Sequence, residues 1–448
     1  MLAAFGHAGF ARARLHHRRL KNGARRFNWC VGEPEAGMDD RAHQAHYTAA
    51  QYDAVVVGGG PAGLAAALAL AQANVRTALV ARRVPYGDNR TTALLGSSID
   101  NLRRLGVWAS CEHLAAPLRV MRLVDSTDRL IRAPEVRFDC GEIGLTAFGY
   151  NIENRLLLAA METCAAQLPN LVRIDDEAAS VQIRPERAAL QTKAGTSVEA
   201  NLVVGADGRH SMCRDAAGID VQRRTLDQAA LTFNVSHARP HHDISTEFHT
   251  ANGPCVFVPL PGDRSSVVWV NAPPEAARLA ALDDDKLSAR IERQAHFHLG
   301  EMHIEGGRNV FPLAFEQPAR LAANRVALIG EAAHVVPPIG AQGLNLGLRD
   351  AIAIADVAAH ELASRCDPGS TQALGRYEQM RRADVLARST VIDLANRTLL
   401  ADFVPLQAIR AIGMKLLDKV GPLRRFVMRE ALAKSQPDGA GSDRTSRS

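Results

Sequence analysis

Residues 52–81, YDAVVVGGGPAGLAAALALAQANVRTALVA, constrain the fold more than any other stretch of the chain. The run opens on β-branched residues, passes three consecutive glycines (58–60), and continues over 61–73 as an alanine- and leucine-rich segment with the length of a helix. A second β-type run follows at 76–81. Strand, helix and strand in this order predict a βαβ unit at the start of a parallel sheet. Within it Gly58, Gly60 and Gly63 form GxGxxG, with Pro61 and Ala62 opening the helix. Gly58 permits the tight turn, Gly60 lets backbone amides approach a pyrophosphate, and Gly63 lets helix and strand pack closely. The anion then lies at the helix N-terminus, where unpaired N–H groups and the helix dipole favour it. The strand–helix context makes this a dinucleotide site, but the motif does not choose between FAD and NAD. The acid that usually ends the second strand and takes the ribose hydroxyls is missing. That strand ends Ala81-Arg82-Arg83, which leaves Arg82 or Arg83 for the adenosine end.

Two later stretches share this character. ANLVVGADG (200–208) reads as a buried strand running into a turn, with Asp207 and Gly208 at the carboxyl edge of the sheet. Taken alone, Asp-Gly is simply a turn. ALIGEAAHVVPPIGAQGLNLGLRD (327–350) puts Gly330 and Glu331 at the end of another strand, where an acid accepts hydrogen bonds from a sugar-like chain. Pro338, Gly340, Gln342 and Gly343 then open a helix whose first backbone N–H groups carry little side-chain cover. Such a start suits an anionic or electron-rich ring edge.

The intervening chain changes style. Residues 230–238, 253–260 and 265–272 alternate like strands of an antiparallel sheet with one solvated or ligand-facing side. Phe257, Pro259 and Trp269 are candidates for a substrate wall there. The chain therefore leaves one domain and returns to it. At 448 residues it exceeds one hydrophobic core, which agrees with two interleaved domains. The expected division is an N-terminal extension (1–50), a cofactor domain in three parts (51–118, 151–215 and 323–375), and a substrate domain in two (119–150 and 216–322). C-terminal helices (376–434) and a polar tail (435–448) complete it. A net charge of +5 over this length does not argue for nucleic acid. The seven cysteines are scattered without a CxxC pair, as in a reduced compartment without zinc. His241–His242 and the His296/His298 pair have no Cys or carboxylate at ligand spacing, so no metal site is expected.

The three loops, in this order, resemble the FAD-holding motifs of the class A flavoprotein monooxygenases, over nearly everything from Tyr52 to Ala433. Within that family HVVPPIGAQGLNLGLRDA (334–351) is similar to the signature of the ubiquinone-biosynthesis hydroxylases, supported by residues 88–108 and 150–161. The resemblance implies an α/β fold: a Rossmann-like FAD domain, an antiparallel substrate domain and C-terminal helices. It implies that Arg90 and Asn154 lie near the flavin, and that Asp207 and Gly208 approach the pyrophosphate and ribityl region. Gly330 and Glu331 would meet the ribityl chain and pyrophosphate, and Gly340 to Asn345 the isoalloxazine ring. The family has Asp where this chain has Glu331, and accommodation of the longer acid is expected. His334 is expected to pack and hydrogen-bond. The implied reaction is hydroxylation of the ring of a polyprenylated quinone precursor with O2 and NAD(P)H or another reductant, through a flavin C4a-hydroperoxide. No catalytic side chain is named, because the cofactor carries the chemistry. A class A hydroxylase of a soluble aromatic acid and a non-catalytic scaffold of the quinone pathway, binding lipid or other proteins of that pathway, are the alternatives.

The termini bear on location. No run of eighteen apolar residues exists, so no membrane span is expected. In 403–434, Leu406, Ile409, Ile412, Leu416 and Val420 recur at helical spacing among Arg410, Lys415, Lys419, Arg424, Arg425 and Arg429. This suits adsorption to anionic lipid, or alternatively a packed helix with a solvated basic face. A cytoplasmic enzyme peripheral to the inner membrane is the expectation. If the arginine-rich, acid-poor residues 1–37 form a targeting peptide, the location becomes the mitochondrial matrix. The preferred reading of that segment is an upstream extension, with Met38 as the start.

Overall fold

The computed structural model describes residues 50–83, 89–127, 133–400, 415–416 and 419–431. Residues 1–49 and 432–448 lie outside them, as do 403–414 and 417–418 of the basic C-terminal stretch. The β-branched run forms β1 (Ala50–Val57) and the alanine-rich segment α1 (Pro61–Gln72), followed by β2 (Thr77–Val80). Much later come α2 (Asn154–Ala165), β3 (Leu171–Ile174), β4 (Ser197–Gly205) and β5 (Val326–Leu328). These five strands lie in the order β5-β4-β1-β2-β3, all parallel to their neighbours. Val55, Val56 and Val57 are buried, as parallel strands covered on both faces require. Every residue of α1 from Gly63 to Ala71 is buried as well. A helix apolar all round must be enclosed, and small side chains let its neighbours approach closely. Among those neighbours are α2 and the long helix α3 (Gln342–Ala363), which α4 (Thr371–Leu400) flanks in turn.

The second sheet has seven strands, in the order Met302–Pro318, Val221–His237, Arg264–Asn271, Gly253–Leu260, Ile244–Thr250, Val120–Asp125, Val136–Asp139. It is antiparallel except where Ile244–Thr250 runs parallel to Val120–Asp125. One face carries Leu231, Phe233, Val235, Phe257, Val267 and Trp269 into a core closed by Leu279, Leu287 and Ile291 of helices 273–280 and 284–294. By strand alternation the other face carries Thr232, Asn234, Val256, Val258, Val268 and Val270. Asn89 and Arg90 approach this second face. The side-chain Nδ2 of Asn234 donates to the Asn89 carbonyl (3.1 Å), and the Arg90 guanidinium lies 5.1 Å from the Phe311 ring centroid. Phe257 and Trp269 are thus corrected from substrate wall to helix-covered core, and Pro259 shares their side by alternation.

Candidate cofactor site

Register brings three loops together. Val57, Gly205 and Leu328 are neighbours across β1, β4 and β5, so the loops that follow them leave the sheet side by side. Ala206 N donates to the Val57 carbonyl (2.8 Å), and Ile329 N to that of Gly205 (2.9 Å). The glycines are forced by contact. A Cβ on Gly58, whose φ is +111°, would stand 2.3 Å from the Ala206 carbonyl oxygen, and one on Gly63 would stand 2.0 Å from that of Gly58. Gly330 approaches Ala62, with 3.1 Å from an added Cβ to the alanine methyl.

Gly60 is different, because an added Cβ there meets nothing within 4 Å. It caps α1 without a side-chain hydrogen bond, Pro61 takes the first helical position, and no acid lies in the first turn. Uncovered N–H groups at a positive helix end therefore face open space, which fits a pyrophosphate. Asp207 supplies the second sign of fit. Its Oδ2 accepts from Cys213 N (3.0 Å), while Oδ1 is buried without a partner. Leaving a buried acceptor unmatched costs about 1–3 kcal/mol, which a ligand hydroxyl would relieve. Gly208 follows at φ +82° with open space around it.

The loops are also tied to one another. Arg214, fully buried, donates to the carbonyls of Arg209 (2.9 Å) and Ala332 (3.3 Å), joining the Asp-Gly turn to the Gly330 turn. Arg209 in turn pairs with buried Glu316 (2.7 Å), whose backbone bridges Val335. Behind Gly330 lies an ion network. Asp350 of α3, fully buried, accepts from Gly330 N (3.2 Å), His334 Nε2 (2.6 Å) and Arg381 Nε (2.7 Å). Burial alone would raise the Asp350 pKa, but the charges of His334 and Arg381 outweigh it and hold the group at about 2. His334 packs and hydrogen-bonds, buried against Asp350.

Gly340 (φ +64°) and Ala341 (φ +53°) lead into α3, whose first turn has neither a side-chain cap nor an acid. Pro338 and Gly343 are exposed beside it. The side chains of Gln342 and Asn345 are engaged by protein. Gln342 Nε2 donates to the Gly340 carbonyl (3.0 Å), and its Oε1 accepts from Arg388 (3.0 Å). Asn345 Oδ1 accepts from Leu95 N and Ser98 Oγ, and its Nδ2 donates to the carbonyls of Ala93 and Ala341. Asn345 therefore locks α3 to the 91–104 segment through its side chain, which leaves its backbone to line the start of α3. Asn154 likewise binds Thr92 through its side chain, and through its backbone N it takes the Arg90 carbonyl (2.9 Å). Glu331 is exposed at the edge of the Gly330 turn.

At the adenosine end Arg82 is exposed and reaches Glu177 (3.5 Å). A cation beside the glycine loop is Arg173 of β3. It donates to the Ala81 carbonyl (3.3 Å) and to Glu162 of α2 (2.5 Å), and its Nη2 lies 3.7 Å from a Cβ added to Gly59. Nothing in the local sequence marks Arg173. The signals missed for the other network residues are an acid, Asp350, inside an apolar helix, and Arg381, Asp384 and Arg388 on one face of α4. A charge at a core position requires a partner.

The description "FAD binding domain" fits residues 51–389 as a family model. The chain is 32% identical to ubiquinone hydroxylase UbiL of Rhodospirillum rubrum, covering 85% of this chain and 89% of that protein. It is 28% identical to the 3-demethoxyubiquinol 3-hydroxylase of Escherichia coli, covering 84% and 97%. Among solved structures, p-nitrophenol 4-monooxygenase PnpA of Pseudomonas putida superposes with a TM-score of 0.72 at 20% identity, over 86% of this chain and 99% of that one. The last likeness shows the fold.

Proposed function

The chain belongs to the FAD binding domain family, among its class A FAD-dependent monooxygenases, and on that premise we propose that it hydroxylates the aromatic ring of a polyprenylated quinone precursor in ubiquinone biosynthesis. Near-full-length similarity to a ubiquinone hydroxylase is the observation that carries the substrate class. Bound FAD, reduced by NAD(P)H or another donor, supplies the activation of O2 for transfer of one oxygen atom to an electron-rich ring.

The chain's own residues bind, orient and exclude water. The N-terminus of α1 holds the pyrophosphate, with Gly58, Gly60 and Gly63 giving backbone access. Asp207 Oδ1, buried without a partner, would accept a hydrogen bond from a hydroxyl of the ribityl region, and the Gly330–Glu331 turn would hold the rest of that chain. The first turn of α3 meets the ring edge, where its positive end favours electron density. The sheet face carrying half-buried Val256, Val258 and Val268 offers an apolar wall for the substrate and keeps water out.

The apolar substrate also favours work at a membrane surface. No helix among the described residues is long and apolar enough to cross a membrane. Leu416, Val420, Leu423 and Phe426 are exposed at three- and four-residue spacing, beside Lys415, Arg425 and Arg429. Arg424 is instead paired with Glu142 (2.7 Å), and Met428 is buried against Val136, Phe138 and Phe148, which anchors helix α5 (Gly421–Ala431). We read the exposed stripe as the face that meets anionic lipid. Mass spectrometry of quinone intermediates tests the function. A strain lacking the chain should accumulate a precursor short of one ring hydroxyl, and a normal quinone profile would refute the assignment.

A further inference from the structure

Resting on the reading that the first turn of α3 meets the flavin ring, we propose that Arg388 of α4, through the side chain of Gln342, places a positive charge behind that turn and so favours reduced over oxidised FAD. Gln342 is the first residue of α3, and its side chain bridges the Gly340 carbonyl and Arg388 Nη1, each at 3.0 Å. Arg388 Nε also donates to Asp384 (2.8 Å), which further takes Arg349 (3.1 Å) and Arg381 (2.8 Å). Arg381 completes the path to Asp350 and the Gly330 turn. Arg381, Asp384 and Arg388 stand three and four residues apart, on one face of α4. One helix therefore braces the loops at both ends of the proposed flavin contact.

The charges do not cancel. Three guanidiniums, Arg349, Arg381 and Arg388, face two carboxylates, Asp350 and Asp384, which leaves one positive charge even with His334 neutral. The arginine side chains are only 7–18% exposed, so solvent and salt screen them weakly. Burial first, and then the Arg388 charge, pull the Arg349 pKa down to about 10. A purely structural network gains nothing from a surplus cation, whereas an anion arriving at the N-terminus of α3 relieves it. Electrons added to a bound flavin bring such negative charge to that end. Arg388 is accordingly a positioning residue, acting through Gln342.

Midpoint potentials of the holoenzyme test this, with FAD dissociation constants measured alongside. Arg388→Gln should weaken the preference for reduced over oxidised FAD about tenfold, a fall of about 30 mV for a two-electron couple. Arg388→Lys should stay close to the parent. Asp384→Asn, which removes a negative charge from the same cluster, should move the potential the opposite way, a reversal that mere loosening would not give. Unchanged potentials in Arg388→Gln, or a fall in both neutralising variants, would overturn the proposal. A parent chain that takes up no FAD would overturn the underlying reading, and the proposal with it.

Discussion

Replacing Asp350 by Asn tests the ion network behind the Gly330 turn. In the parent, one carboxylate oxygen accepts from Gly330 N and His334 Nε2 and the other from Arg381 Nε. Asn offers one oxygen and one NH2, so a donor must face a donor, and Arg381 loses its buried counter-charge. Removing one partner of a buried pair costs roughly 3–5 kcal/mol. The pH dependence gives an independent measure. The Asp350 pKa falls from 3.8 to about 2 on folding, and at about 1.4 kcal/mol per tenfold in acidity this is worth on the order of 2 kcal/mol. Because the folded value is the depressed one, that stability is complete above about pH 4 and is lost as pH falls through about 2. Urea unfolding of parent and variant between pH 7 and pH 2 reads both quantities. The gap should open at the full value at pH 7 and narrow by roughly 2 kcal/mol by pH 2. The Gly330 turn should slacken too, so the variant should bind FAD more weakly. Equal midpoints at pH 7, or a gap unchanged down to pH 2, would refute the reasoning.

Other substitutions separate binding from folding. Gly60→Ala should leave the melting temperature of the FAD-free chain unchanged while weakening FAD by about tenfold or more, measured by flavin fluorescence. Gly63→Ala should destabilise the fold itself, since its Cβ meets backbone at 2.0 Å; soluble protein of parental melting temperature would contradict this. Phe257→Ala should cost about 3–5 kcal/mol in urea with little change in KM, whereas Val268→Phe, on the opposite face, should raise KM with a smaller loss of stability. Phe426→Asp should reduce sedimentation with anionic vesicles, and unchanged binding would remove the C-terminal stripe from the account.

The glycine loop was legible because each requirement is local. β-branched residues, a glycine turn and a helix start stand in consecutive positions, and Gly58 and Gly63 fill places where a methyl group would collide. The Asp-Gly and Gly330 turns were legible as motifs, and parallel pairing of β1, β4 and β5 sets them beside it. The facing of the second sheet was not legible. Alternation separates Phe257 and Trp269 from Val256 and Val268 but does not say which set the 273–294 helices cover, and large aromatic residues suit either a core or a ligand wall. Asp350 and Arg381 lie 31 residues apart on different helices, so no spacing rule joins them. Arg173 stands beside the glycine loop from the neighbouring strand β3, and only sheet order reveals that. Asn345 stands in the right loop, yet its side chain faces Leu95 and Ser98, a contact set by tertiary packing.

Flavin content of the freshly purified chain tests the central claim most directly. With three loops closing on one cofactor, acid extraction should release one FAD per chain, and a chain carrying both Gly60→Ala and Asp207→Ala should remain folded but release almost none. A colourless parent that takes up no added FAD, or a double variant that keeps its full complement, would contradict the account.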